Sequence, residues 1–165
     1  MAVAYFNNLD VVSVDNKSIN HIEQHAIESE QGHYRFCLHH DNSAPIQEMV
    51  IALTKHAIFP PHKHPLGKSE SIHIISGELA TFIFDNTGKV TQVIRQSCSG
   101  NQAKLQRIEG NTWHLPICIS ETVVYHETLV GPYDKASDVI TPEWAPSLED
   151  KEGLVTFYEQ LKLLL

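Results

Sequence analysis

The feature that most constrains the fold of this chain is a series of short apolar or alternating segments between residues 33 and 133. Alternation places successive side chains on opposite faces of an extended chain, so each segment has the pattern of one β-strand. The sequence "DNTG", directly after Phe84, is typical of a hairpin turn, and "VTQVIR" follows as the return strand. Many short strands joined by regular turns predict a β-sandwich or barrel. The other strand-like segments are "IQEMVIAL", "SIHIISG", "LATFIFD", "LQRIEG", "NTWHLPICI" and "TVVYHETLV".

The region before residue 33 carries a different pattern. An apolar patch within residues 1–14 predicts an edge strand. The segment "SINHIEQHAIESE" follows, and its apolar residues recur at helical spacing, which predicts a short amphipathic helix. These apolar residues are Ile19, Ile22, Ala26 and Ile27.

After residue 133 the chain is first rich in proline and irregular, and then helical. The sequence "SLED" indicates a helix start. The helix that follows is expected to dock through Leu154, Phe157, Leu161 and Leu164. The chain has 165 residues, so one domain is expected, in three parts. The parts are an N-terminal strand and helix extension (1–32), a β-barrel (33–133) and a C-terminal wrap and helix (134–165).

The segment "PPHKHPLGKSESIHIISG" points to a metal site. His62 and His64 are two residues apart, which puts both imidazoles on the same side of an extended chain. Glu70 follows as a carboxylate on the same stretch, and Gly77 stands where a turn needs an unusual φ. Two neutral imidazoles and a carboxylate that converge on one point suggest a metal ion.

This pattern resembles the first motif of the cupin superfamily, in which a His-x-His pair precedes a glutamate and a glycine. The resemblance implies a double-stranded β-helix, one of the jelly-roll designs. It also implies a further histidine ligand on a later strand, and His114 in "IEGNTWH" takes that place. Five residues separate His64 from Glu70, where three or four are usual in cupins. The metal ligands implied by the resemblance are His62, His64, Glu70 and His114.

Longer segments resemble one group of cupins, the WbuC family of cupin-fold metalloproteins. They are "RFCLHHDNSAPIQEMVIAL", "PPHKHP", "GELATFIFDNTGKV", "TWH" and "GPYDKASDVITPEWAP", and the similarity covers roughly residues 26–147. Members of that family are often associated with the synthesis of O-antigen and other surface polysaccharides. The resemblance implies one divalent transition metal ion, and donors of this kind suit Zn, Fe, Mn or Ni.

Other residues are candidates for contacts with a reacting molecule. Strand parity puts either His126 or Glu127 inside the barrel, and the resemblance favours Glu127 because it places an acidic residue just before "GPY". Tyr133 is a second candidate acid or base. Candidate substrate-binding residues precede or flank the ligands, and an arginine among them would suit a phosphate or carboxylate. They are Arg35, His39, Lys68 and Trp113.

Composition limits the classes of partner. The net charge is -8 and there is no block of Lys or Arg, so nucleic acid and an anionic membrane surface are not expected partners. The N-terminal residues lack the pattern of a signal peptide, and there is no long apolar run, so a cytoplasmic location is expected. A homodimer is a further expectation, because the apolar outer positions of two strands need a cover. The C-terminal helix is the alternative cover.

Three functions remain open from the sequence. The first is a metal-dependent enzyme, an isomerase or epimerase, acting on a sugar or sugar nucleotide in surface-polysaccharide synthesis. The second is a non-heme iron dioxygenase of a small molecule, because the same donors hold redox iron. The third is a sugar-binding or regulatory module without catalysis.

Overall fold

The computed structural model describes residues 4–165 of the chain. Within that range the chain forms nine β-strands and three α-helices. No helix in it is long and apolar enough to cross a membrane. In chain order the elements are β1 (Ala4–Phe6), α1 (Asn16–Glu28), β2 (His33–Cys37), β3 (Ile46–Thr54), β4 (Glu70–Ser76), β5 (Glu78–Phe84), β6 (Val90–Ser97), β7 (Leu105–Ile108), β8 (Trp113–Cys118), β9 (Thr122–Val130), α2 (Lys135–Asp138) and α3 (Lys151–Lys162).

The strands form two sheets that face each other. One sheet has six strands in the order β1-β2-β3-β9-β4-β7, and the other has three in the order β6-β5-β8. The last strand, β9, lies between β3 and β4, so the chain returns to the middle of the larger sheet after building the smaller one. This winding is the double-stranded β-helix of the cupin jelly roll, and the predicted fold class is confirmed.

Side-chain alternation decides which residues line the barrel. Ile72 and Ile74 of β4 are buried in the interior cluster, whereas His73 between them is exposed. Val123 and Tyr125 of β9 belong to the same interior cluster. The even spacing that identified these strands in the sequence therefore also separates the interior face from the outer face.

Helix α1 covers the outer face of the six-stranded sheet. Asp15 caps its first turn by accepting a hydrogen bond from the backbone N–H of Ser18 at 2.8 Å. Ile22 and Ala26 are buried against Val124 of β9. The apolar outer face of β9 is thus covered from within the chain, by α1 and not by the C-terminal helix. The argument for a homodimer at that face no longer holds.

Helix α3 covers the outer face of the three-stranded sheet. Leu154 and Leu161 are buried there as expected, and Phe157 packs against the cluster of β5 and β8 side chains. Leu164 is 57% exposed, so its predicted docking role is wrong. The helix ends at Lys162, which removes Leu164 from the helical spacing. Tyr158 docks as well, and its hydroxyl accepts the backbone N–H of Phe59 at 2.9 Å.

Candidate metal centre

The backbone holds the two parts of the site together. His62 lies in the irregular segment before β4, and His114 is the second residue of β8. Each donates its backbone N–H to the carbonyl of the other, at 3.0 and 2.9 Å. The His64 carbonyl accepts the backbone N–H of Asn111 at 2.6 Å. The segment that carries His62 and His64 is thereby fixed against the start of β8.

Three imidazoles converge inside the barrel mouth. One ring nitrogen of each of His62, His64 and His114 lies within 4.8 Å of those of the other two. The ring centroids of His62 and His114 are 4.4 Å apart, and those of His64 and His114 are 5.7 Å apart. His64 and His114 are buried. Three ring nitrogens this close together can all coordinate a single metal ion.

Glu70 brings a carboxylate to the same point. It is the first residue of β4 and only 3% exposed. Its Oε2 lies 3.1 Å from Nε2 of His64, and its Oε1 lies 3.0 Å from Nε2 of His114. The fourth expected ligand is therefore in contact with two of the other three.

The hydrogen bonds of these rings imply that a proton or a metal ion lies between them and Glu70. Nδ1 of His64 donates to the carbonyl of Asp138 at 2.6 Å, and Nδ1 of His114 donates to the carbonyl of Thr112 at 2.9 Å. In a neutral ring this leaves a lone pair on each Nε2, and both face the carboxylate oxygens of Glu70. Lone pairs repel each other unless a proton or a metal ion lies between them. Nε2 of His114 and Oε1 of Glu70 are buried without a hydrogen-bond partner, as expected of metal ligands.

The pKa shifts of the four residues favour an ionised carboxylate and one neutral ring, but not three neutral rings. Burial lowers the pKa of His62, and the charge of His114 lowers it further, so this ring is neutral. Burial would raise the pKa of Glu70, but His114 and His64 hold it well below its usual range. In the opposite direction, Glu70 raises the pKa of both His64 and His114 against the effect of burial. A metal ion would replace those protons.

The donor set fits a divalent transition metal ion. Imidazole nitrogens and one carboxylate suit Zn, Fe, Mn or Ni. Four protein ligands leave one or two positions of a five- or six-coordinate ion for water or a bound molecule.

Further polar side chains lie on the interior face of the larger sheet. Arg35 pairs with Ile51, whose side chain is in the interior cluster, and residues directly opposite each other share a face. None of the ion pairs among residues 4–165 involves Arg35. Burial raises the pKa of Tyr133. The charge of Arg35 lowers this pKa, and the charge of Glu127 raises it.

Glu127 is on the interior side of β9, so it is the member of the His126–Glu127 pair that the family resemblance favoured. It is two residues from the buried Tyr125, and its neighbour His126 lies on the outer face, 3.7 Å from Glu48. Burial and then repulsion from Glu70 raise the pKa of Glu127 to about 7, although Arg35 opposes the change. A carboxyl group with such a pKa exchanges protons near neutrality.

Lys68 lies between the barrel mouth and the segment after β9. Its Nζ atom is 2.5 Å from Oδ2 of Asp138 and also donates to the carbonyl of Pro132. Two of its three donors are therefore bound to protein groups.

His39 and Trp113 lie apart from the ligands. His39 packs against Phe6 and accepts the backbone N–H of Glu48 at 3.0 Å, beside a surface hollow of about 580 Å³. None of the four expected ligands lines that hollow. The Trp113 ring points to the outer cluster, where Trp144 meets it edge-on and the Lys63 ammonium lies 4.4 Å from its centre.

Sequence reasoning missed two residues of the site. Tyr125 is buried on the interior face, and strand parity with Glu127 would have found it. Asp138 binds His64 through its backbone carbonyl. No side-chain pattern signals such a contact, because any residue has a carbonyl group.

Comparison with known proteins gives one family model and several similar folds. A domain of unknown function (DUF6016) matches residues 14–95. No curated protein matches the chain in sequence. Protein SO0799 from Shewanella oneidensis is 9% identical, with a TM-score of 0.57 over 82% of this chain and 85% of that one. Such a likeness supports the fold alone.

Two further solved structures are similar over shorter parts. KdgF from a Halomonas species is 13% identical, with a TM-score of 0.49 over 65% of this chain and 86% of that one. A transcriptional regulator of the HTH_3 family from Vibrio cholerae is 21% identical, with a TM-score of 0.48 over 61% of this chain. This chain spans 52% of the regulator.

Proposed function

We propose that this chain is a metal-dependent cupin enzyme that acts on a sugar or sugar-nucleotide intermediate of surface-polysaccharide synthesis. The observation that carries the metal-dependent part is a buried pair of atoms, Nε2 of His114 and Oε1 of Glu70, that face each other at 3.0 Å without hydrogen-bond partners. The sugar part is supported by the resemblance of roughly residues 26–147 to the WbuC family.

Four residues would hold the ion: His62, His64, His114 and Glu70. When bound, a divalent ion supplies Lewis acidity toward a hydroxyl or carbonyl oxygen, or lowers the pKa of a bound water. The carbonyls of Asp138 and Thr112 would keep two of the rings in the tautomer that presents Nε2 to the ion.

Three residues would act on the bound molecule. Glu127 would take and return a proton, since its pKa of about 7 lets both forms exist at neutral pH. Tyr133 would serve as a second proton donor near it. Arg35 would pair with an anionic group, and a nucleotide phosphate or a sugar carboxylate has the required charge. An isomerase or epimerase step uses such a combination of proton exchange and charge stabilisation.

The first test is the metal content of protein purified without a metal-affinity column. Two histidines on α1, the exposed His21 and the half-buried His25, have Nε2 atoms 2.9 Å apart and would bind ions from the buffer, so both are replaced by Gln. In that background we expect one ion per chain. The ion should be lost in His62→Ala/His64→Ala. It should be kept in the control variant His73→Ala, which removes an exposed histidine of β4. An ion content unaffected by the double variant would refute the site.

The second test separates the enzymatic readings. Sugars and sugar nucleotides are offered to the metal-loaded protein, and Glu127→Gln is expected to lower turnover by about 10²–10⁴-fold with the metal content unchanged. Iron in the protein together with oxygen consumption would instead support the dioxygenase. Binding of a sugar without turnover by any form would support the non-catalytic module.

A further inference from the structure

Residues 131–140, here called the strap, lie against the segment that carries two of the expected ligands. Lys63 and Ile140 form an antiparallel bridge, with N–H to carbonyl distances of 2.9 and 3.0 Å. This bridge is next to His64 in the chain. The strap is thereby fixed on one side of that residue by backbone hydrogen bonds.

The strap also contacts the His64 side chain directly. The Asp138 carbonyl accepts the hydrogen bond from Nδ1 of His64 at 2.6 Å. A carbonyl in this position sets both the ring orientation and the nitrogen that carries the proton. The direction of the His64 Nε2 lone pair therefore depends on where the strap places the Asp138 backbone.

The side chain of Asp138 fixes that backbone. Asp138 is only 3% exposed, and its Oδ2 accepts the backbone N–H of Asp134 at 2.9 Å and the ammonium of Lys68 at 2.5 Å. Lys68 also donates to the carbonyl of Pro132, at the beginning of the strap. A carboxylate that is so deeply buried needs a charged partner, and the described structure provides Lys68.

We infer that Lys68 is a positioning residue for the metal site: through Asp138 it holds the strap so that the Asp138 carbonyl aligns His64 on the ion. This rests on the proposed metal centre. It gives Lys68 a role on the protein side of the site in place of the substrate contact expected from the sequence. Without the ammonium, the carboxylate retains one backbone N–H and the long contact of the Ser137 hydroxyl at 3.4 Å, but no charged partner, and the position of the strap and of the His64 ring is less firmly held.

The experiment measures the affinity for Zn²⁺ by competition with a chromogenic chelator, in the His21→Gln/His25→Gln background. Lys68→Met is expected to weaken binding by about 10–100-fold, as is typical when an outer-shell partner of a ligand is removed. Lys68→Arg, which keeps the charge, is expected to restore part of the affinity. In a His64→Ala background the effect of Lys68→Met should disappear, since Lys68 acts through His64.

Two controls distinguish positioning from general stability. Lys55→Met removes an exposed lysine paired with Glu121 at 2.7 Å, and Asp150→Ala removes the N-terminal cap of α3. Both are expected to keep the wild-type zinc affinity. An affinity of Lys68→Met within about twofold of wild type, well short of the usual outer-shell effect, would overturn the inference alone. Absence of zinc binding by the parent protein would overturn the metal centre, and the inference with it.

Discussion

The glycine of the metal motif gives a quantitative test of the fold. Gly77 lies between β4 and β5 with a φ of +75°. A Cβ atom added there would lie 2.7 Å from Oγ of Ser120 and 2.9 Å from Cα of Val123, and closest of all to the Thr122 carbonyl. Two of these three neighbours are backbone atoms, which cannot rotate away. Gly77→Ala should therefore lower the stability through both conformation and contact.

The size of the loss follows from these two effects. A side chain in the left-handed region costs about 1 kcal/mol. Forcing a methyl group against fixed neighbours adds about 2 kcal/mol. A loss of about 3 kcal/mol in a chain of this length corresponds to a decrease in Tm of about 6–12 °C.

Gly67 is the matched control, because its φ is +85° but no atom lies within 4 Å of an added Cβ. Gly67→Ala should lose only the conformational part, about 1 kcal/mol, or about 2–4 °C in Tm. The assay is thermal and urea unfolding of both variants beside the wild type, in the presence of EDTA so that metal binding does not contribute. Equal losses in the two variants would show that the neighbours of Gly77 yield, and the steric argument would be wrong.

Three other variants test the packing and the pH response. Tyr158→Phe leaves the N–H of Phe59 without its acceptor and should lower the free energy of unfolding in urea by about 1–3 kcal/mol. Asp150→Ala removes the cap that accepts the backbone N–H of Gly153 at 2.9 Å; urea unfolding should show a loss of about 1 kcal/mol, and elemental analysis an unchanged metal content. Burial lowers the pKa of His33 to about 4, so the unfolded chain takes up its proton at a higher pH than the folded one. The free energy of unfolding should therefore fall as the pH decreases from about 6.5 to about 4. In His33→Phe, this fall should be smaller than in the wild type by an amount of the order of 1 kcal/mol.

The two ends of the chain show how far sequence patterns reach. The spacing of Ile22 and Ala26 predicted a helix, and both residues are buried in it. The same reasoning at the C-terminus included Leu164 and omitted Tyr158, because periodicity does not determine where a helix ends. It also assigned the cover of β9 to a second chain or to the last helix, whereas α1 provides it.

The candidate site divides in a similar way. The spacing of His62 and His64 is a property of an extended chain, so it could be predicted from the sequence. Strand parity limited the interior residue to His126 or Glu127, and the family resemblance chose Glu127. Asp138 contributes to the site through a carbonyl group, which every residue has. Its pairing with Lys68 joins residues 70 positions apart in the chain.

The sequence by itself predicted most of the strands, though not β2, and the metal motif, because each depends on side-chain chemistry at short spacing along the chain. The tertiary structure decided which helix covers which sheet and brought Arg35 onto the same face as the ligands. It also decided that Lys68 faces Asp138. These contacts depend on the order in which strands pair, and that order comes from the packing of the whole chain, where β9 returns between β3 and β4.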